Sequence, residues 1–185
     1  MKEIYEIRIH GRGGQGAKTA SQIIAETALE LGKYIQSFPE YGPERAGAPL
    51  KAYNRISDKK IKSFAPVTNP DVVLVIDPTL LQAVDVTAGT DEKSILIVNT
   101  PKSGKDLGLN FKGKIYTVDA TKIALETVGK NLPNTPILGA LIKITKLIPL
   151  DAIVQNVRET LIGKIGEIQT KATIDGIKRA YDEVK

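Results

Sequence analysis

A chain of 185 residues with 42% hydrophobic content suits a single domain, and its net charge of +5 comes from 26 basic against 21 acidic residues. It has no cysteine and one histidine. That excludes disulfides, a thiolate nucleophile and a cysteine-ligated iron–sulfur cluster on this chain, and leaves almost nothing for a histidine-based metal site.

Met1-Lys2-Glu3 leads directly into a strand pattern, with no secretory signal ahead of it. No apolar run approaches the roughly 18 to 20 residues of a membrane span, so the expected location is the cytoplasm, away from any membrane. Isoleucine and lysine are abundant while Met and Trp are nearly absent, a bias like that of hyperthermophile proteins. Lysines cluster at Lys59-Lys60-Lys62 and at Lys102, Lys105, Lys112 and Lys114. Six Tyr and three Phe show no interleaving with these bases of the kind that RNA- and single-strand-binding modules use. The basic balance therefore points to an acidic ligand or protein partner rather than a nucleic acid.

In chain order, Ile4–His10 alternates as a strand and Ala17–Leu31 repeats apolar residues at helical spacing, with Gly32 placed to end that helix. Between them lies Gly11-Arg12-Gly13-Gly14-Gln15-Gly16, which fits G-x-G-x-x-G in the strand–turn–helix context the pattern requires. Such a turn lets backbone N–H groups approach a phosphate with the positive end of a helix behind them. A strand at Tyr34–Ser37 completes what resembles a βαβ crossover.

The next stretch, Phe38 to Pro49, holds three prolines and two glycines and is expected to be irregular. Lys51–Ile56, the turn Ser57-Asp58-Lys59-Lys60 and Ile61–Phe64 then suggest an edge hairpin. Asp71–Asp77 carries a continuous apolar run typical of a strand buried on both faces. A short helix over Pro78–Val84, strands at Ser94–Val98 and Ile115–Val118, and a helix from Thr121 to Val128 follow. Three helical stretches close the chain: Ile137–Leu147, Leu150–Leu161 and Glu167–Val184. The expectation is one α/β domain over residues 1–185, with a mainly parallel sheet and its ligand edge at the strand C-termini, where Gly11, Asp77, Asn99 and Asp119 fall.

Several sharp readings compete with plain ones. A self-sufficient dinucleotide site should carry an acid at the end of the second strand to hold the ribose, and Gln36-Ser37-Phe38 supplies none there, although Glu40 is near. A P-loop fails because no Gly-Lys-Ser/Thr follows in register. The glycine run also works as a plain tight turn. Asp77, Asn99 and Asp119 would serve as helix caps more readily than as a carboxylate pair or a magnesium site. His10 is more readily a packed side chain than a catalyst. No Ser/His/Asp arrangement or acid–base pair emerges, so no catalytic and no metal-ligating residue is expected on this chain.

Taken together, residues 11–16, Ser37-Phe-Pro-Glu-Tyr-Gly-Pro-Glu-Arg-Ala-Gly-Ala-Pro49 and Asn134-Thr-Pro-Ile-Leu-Gly-Ala-Leu141 resemble the gamma subunit of 2-oxoacid:ferredoxin oxidoreductases, in the pyruvate and 2-ketoisovalerate branch. The one mild departure is Arg45-Ala46-Gly47 where many members carry a second glycine or arginine.

The resemblance implies a Rossmann-like domain in a multi-subunit enzyme of anaerobic metabolism, which converts a 2-oxoacid and coenzyme A to acyl-CoA and carbon dioxide while reducing ferredoxin. It places thiamine diphosphate, magnesium and the [4Fe–4S] clusters on the partner alpha, beta and delta subunits. It assigns Gly11, Arg12, Gly13, Gly14, Gln15 and Gly16 to an anion- or coenzyme A-facing turn. Glu40, Tyr41, Gly42, Pro43, Glu44 and Arg45 become a loop facing partner subunits or the substrate channel. The competing reading is a stand-alone dinucleotide-binding oxidoreductase.

Overall fold

The computed structural model describes residues 3–40 and 47–185. Strands β1 (Ile4–Arg12), β2 (Tyr34–Glu40), β3 (Pro49–Ser57), β4 (Val72–Val75), β5 (Ile95–Asn99) and β6 (Lys114–Val118) form one sheet in the order β2-β3-β1-β4-β5-β6. β1, β4, β5 and β6 pair in parallel, while β3 runs antiparallel to both β1 and β2. Five of the six strands thus share one direction, as the strand–helix alternation predicts.

Side-chain alternation divides the core. Ile7, Ile9, Val72, Leu74 and Ile97 face a helical layer built from α1 (Ala17–Glu30), α3 (Ala120–Thr127), α4 (Pro136–Thr145) and α5 (Leu150–Glu183). Val73, Val75, Leu96 and Val98 face the opposite side, under the short α2 (Leu80–Ala83) and Val86. β4 is buried on both faces, which is why its sequence reads as an unbroken apolar run. Each fully buried leucine or isoleucine contributes about 1.5–3 kcal/mol from removing its apolar surface from water.

The helix ends follow their local chemistry. Gly32 stands just past α1 at φ +77° and donates its N–H to the Leu29 carbonyl, closing the last turn. Asp119 caps α3 by accepting the Lys122 N–H at 2.9 Å, and Pro136 opens α4. α5 is broken at Gly166 (φ 78°, ψ 169°), a conformation open essentially to glycine alone. The break falls between the two helical stretches read from the sequence. No helix among the described residues is long and apolar enough to cross a membrane.

Three expectations are corrected. The hairpin is formed by β2 and β3, not by Lys51–Ile56 with Ile61–Phe64. β3 already has β1 on one backbone edge and β2 on the other, so Ile61–Phe64 finds no edge to pair with. It lies across the side chains instead, with the Ser63 and Ala65 carbonyls accepting from Gln36 and Arg55. Second, β1 and β2 are not neighbours, because β3 inserts between them.

Third, the irregular stretch is shorter than Phe38–Pro49, since β2 extends through Glu40 and β3 starts at Pro49. Pro39 is tolerated because β2 is an edge strand and its missing N–H faces away from β3. The parity of the sheet supports this: the Glu6 and His10 carbonyls turn toward the β4 side, accepting from Asp71 and Ile76. That leaves Ile7 and Ile9 to bond Asn54 and Ala52 of β3, and Tyr53 and Arg55 to bond Phe38 and Gln36 of β2.

Candidate anion-binding site

β1 delivers the glycine run to the C-terminal edge of the sheet, as its last residues Gly11 and Arg12 pair with Leu50 and Pro49. Gly11 lets α1 pack close, because a Cβ there would sit 3.1 Å from the Ala17 Cβ. Gln15 ties the turn together. Its Oε1 accepts the Arg12 N–H at 2.8 Å and its Nε2 donates to Asp77 at 2.6 Å. Gly13 donates to the Ala48 carbonyl and accepts from Gly47, so the far end of the Pro-rich segment is laced to the turn by main chain.

Arg12 points back into this scaffold. Its guanidinium donates to Thr79 Oγ1 at 2.9 and 3.2 Å and to the Gly47 carbonyl at 3.1 Å, and it lies 3.2 Å from Asp77. Burial raises the Asp77 pKa, but hydrogen bonds from Thr79 and Gln15, with the Arg12 charge, outweigh it and hold the carboxyl below its usual range. Asp77 is thus an ionised knot joining β1, the glycine turn and the start of α2. Asn99 has the same kind of role, receiving the Thr121 N–H at 3.1 Å while donating to the Ile76 carbonyl. The strand-end polar residues organise helices and turns.

Gly16 takes the N-cap position of α1 at φ 78° and, among the described residues, no side chain caps the first turn. The open N–H groups of that turn carry the positive end of the helix. They border a cleft of about 510 Å³ lined by Gly14, Gly16, Lys130, Asn134, Leu161 and Ile165, among others. Asn134 is buried and packs on Gly16, donating to its carbonyl at 3.4 Å, and a Cβ at Gly16 would overlap that amide. Two segments 118 residues apart therefore meet: the glycine run and Asn134 to Leu141. The cleft is lined by Gly14, Gly16 and Thr19 around the start of α1, by Lys130, and by Leu161 and Ile165 on α5.

Lys130, Leu161 and Ile165 were not singled out in the sequence. Asn134 was legible within its segment, but nothing local marks a lysine or two α5 residues as neighbours of Gly16. His10 is only 1% exposed and its Nε2 has no hydrogen-bond partner among the described residues. It is a packed side chain beside Arg8, which holds the Val86 and Ala88 carbonyls at 2.9 and 2.7 Å. Glu40 closes β2, accepts the Tyr53 hydroxyl and lies 3.5 Å from Lys51. It is an acid at the end of the second strand after all, yet β3 separates it from β1 and its carboxylate is already engaged. The ribose position of a dinucleotide fold is not reproduced. Tyr41, Gly42, Pro43, Glu44 and Arg45 lie outside the described residues.

Comparison with known proteins converges on one group. Residues 6–182 match the family described as pyruvate ferredoxin/flavodoxin oxidoreductase. The chain is 49% identical over its whole length to pyruvate synthase subunit PorC of Thermotoga maritima, covering 96% of it. It is 48% identical over 94% of its length to the pyruvate/ketoisovalerate oxidoreductases common subunit gamma of Thermococcus kodakarensis, again covering 96% of that protein. The crystal structure of the Thermotoga subunit superposes with a TM-score of 0.89, covering 100% of this chain and 98% of that one. A 2-oxoglutarate:ferredoxin oxidoreductase from Magnetococcus marinus, solved with 2-oxoglutarate, coenzyme A and succinyl-CoA, has the same fold (TM-score 0.79, 19% identity). It covers 98% of this chain and 31% of that chain.

Proposed function

Because the chain belongs to the pyruvate ferredoxin/flavodoxin oxidoreductase family and is a subunit of a 2-oxoacid:ferredoxin oxidoreductase, we propose that it is the non-catalytic gamma component, presenting a coenzyme A-facing anion site and a subunit interface. The observation that carries this is the uncapped start of α1 at Gly16, opening with Lys130 onto the 510 Å³ cleft. Helix N-terminal N–H groups and a lysine suit phosphate oxygens, and an apolar wall suits the less polar part of the same molecule. The chain's own residues bind and orient in this reading; among the described residues the strand-end acids are engaged as structural ties and His10 is buried.

Thiamine diphosphate with magnesium and the [4Fe–4S] clusters, on alpha, beta and delta partner subunits, supply decarboxylation and electron transfer to ferredoxin in this reading. A chain without cysteine offers no thiolate to such a cluster. Residues Glu40 to Arg45 form part of the contact with those partners in the cytoplasm.

Lys130 is exposed, so Lys130→Gln should fold and assemble normally. In the assembled enzyme it should raise KM for coenzyme A about tenfold, the loss of roughly one charge-assisted contact, and leave KM for the 2-oxoacid unchanged. Steady-state kinetics with each substrate varied in turn checks this. An unchanged KM for coenzyme A would remove the anion site from the cleft.

A further inference from the structure

We propose that the free edge of β2 is a docking site for an extended, alternately apolar and acidic segment of a partner subunit, which adds to the sheet as a seventh strand. This rests on membership in a multi-subunit enzyme, not on the coenzyme A reading.

Among the described residues, β2 has only β3 as a neighbour in the sheet. By the parity set by Pro39 and by the β1 carbonyls, Tyr34, Gln36, Phe38 and Glu40 bond to β3. The N–H and C=O groups of Ile35 and Ser37, and the carbonyl of Pro39, then point outward. No main-chain hydrogen bond from the described residues reaches them beyond the sheet. Edges of this kind are ordinarily blunted or covered; here a proline guards only the Glu40 end.

A groove lies on each side of this edge. On the α1 side, Ser21, Gln22, Ser37 and Pro39 line about 340 Å³, with Lys18 at the rim. On the other side, Phe38, Arg55 and Phe64 line about 360 Å³. Phe64 is 91% exposed and Arg55 stacks 5.8 Å above the Phe38 ring. A strand laid along Ile35–Pro39 would send successive side chains alternately into these two grooves, the arrangement by which edge-strand addition obtains specificity. The aromatic groove suits an apolar side chain, because Arg55 is already engaged by Glu6, Gln36 and the Ala65 carbonyl. The serine groove with Lys18 suits a short acidic one.

A second copy of this chain fits less well. Two-fold pairing about Ser37 sets Ile35 opposite Pro39 twice and loses a donor each time, and it brings together two chains of net charge +5.

Two serine variants isolate the outward N–H. Ser37→Ala and Ser37→Pro both lose the Ser21–Ser37 side-chain bond at 2.9 Å, but only Ser37→Pro loses the outward donor. Co-expressed with affinity-tagged partner subunits, Ser37→Pro should reduce recovery of this chain about tenfold, and Ser37→Ala should stay within about twofold of wild type. Hydrogen exchange on the wild-type enzyme serves if Ser37→Pro misfolds. The Ile35 and Ser37 amides should exchange roughly 100-fold more slowly in the complex than in the isolated chain, with the Gln36 and Phe38 amides as internal controls. Equal exchange in both states, or normal assembly of Ser37→Pro, would overturn the proposal. Slowing in the isolated chain as its concentration rises would also overturn it and assign the edge to a second copy. Any of these results leaves the Lys130→Gln test of the coenzyme A site untouched.

Discussion

His10 shows what a single residue contributes at the edge of the candidate site. Burial, then the charges of Arg8 and Lys51, push its pKa down to about 3 against a weaker opposite pull from Asp85. It is therefore neutral in the folded chain, and protonated in the unfolded chain, between about pH 3 and 6.5. The unfolded state binds the extra proton between the ordinary value near 6.5 and about 3, so stability rises with pH across that window and is lost as pH falls through it. The slope from this one group is about 1.4 kcal/mol per pH unit. His10→Gln should flatten that part of the profile, and urea unfolding of both proteins between pH 7 and 4 measures it. Parallel profiles would mean that His10 is protonated in the folded state and that its buried position is relieved by a partner or by opening.

Among elements, the α4–α5 contact explains a glycine that lies within the recognised segment at residues 134–141. Gly139 faces the α5 main chain: a Cβ there would overlap the Ile177 carbonyl oxygen and lie 2.8 Å from the Tyr181 nitrogen. Gly139→Ala must separate the two helices and should destabilise by about 3 kcal/mol. Gly163 in α5 meets nothing within 4 Å, so Gly163→Ala should stabilise by about 0.5–1 kcal/mol through lower chain entropy when unfolded. Thermal melts of the two variants should shift in opposite directions.

The same contrast marks what the sequence made legible. An unbroken apolar run located β4, and helical spacing located α1 and both halves of α5, since those signals are local. Order in the sheet was not legible, because nothing in Lys51–Ser57 says that both of its edges will be taken. The glycine run and Asn134 were visible as separate motifs. Lys130, in the connection between α3 and α4, and Ile165, on α5, come beside them only when the chain folds.

On the scale of the whole molecule, the division of labour sets a limit on what the chain does alone. It lacks cysteine throughout, and the strand-end acids that might have been catalytic are engaged as structural ties: Asp77 with Arg12, Gln15 and Thr79, and Asp119 with the first turn of α3. Its one histidine is buried and held neutral. A carbanion formed from a 2-oxoacid needs an electron sink, and these side chains provide none. The purified chain should therefore be colourless above 300 nm and should reduce no viologen dye with pyruvate and coenzyme A. Adding the other subunits of the complex should supply both the absorbance and the rate. Turnover by the isolated chain, or a visible chromophore that survives removal of every partner, would place redox chemistry on residues assigned here to binding and assembly.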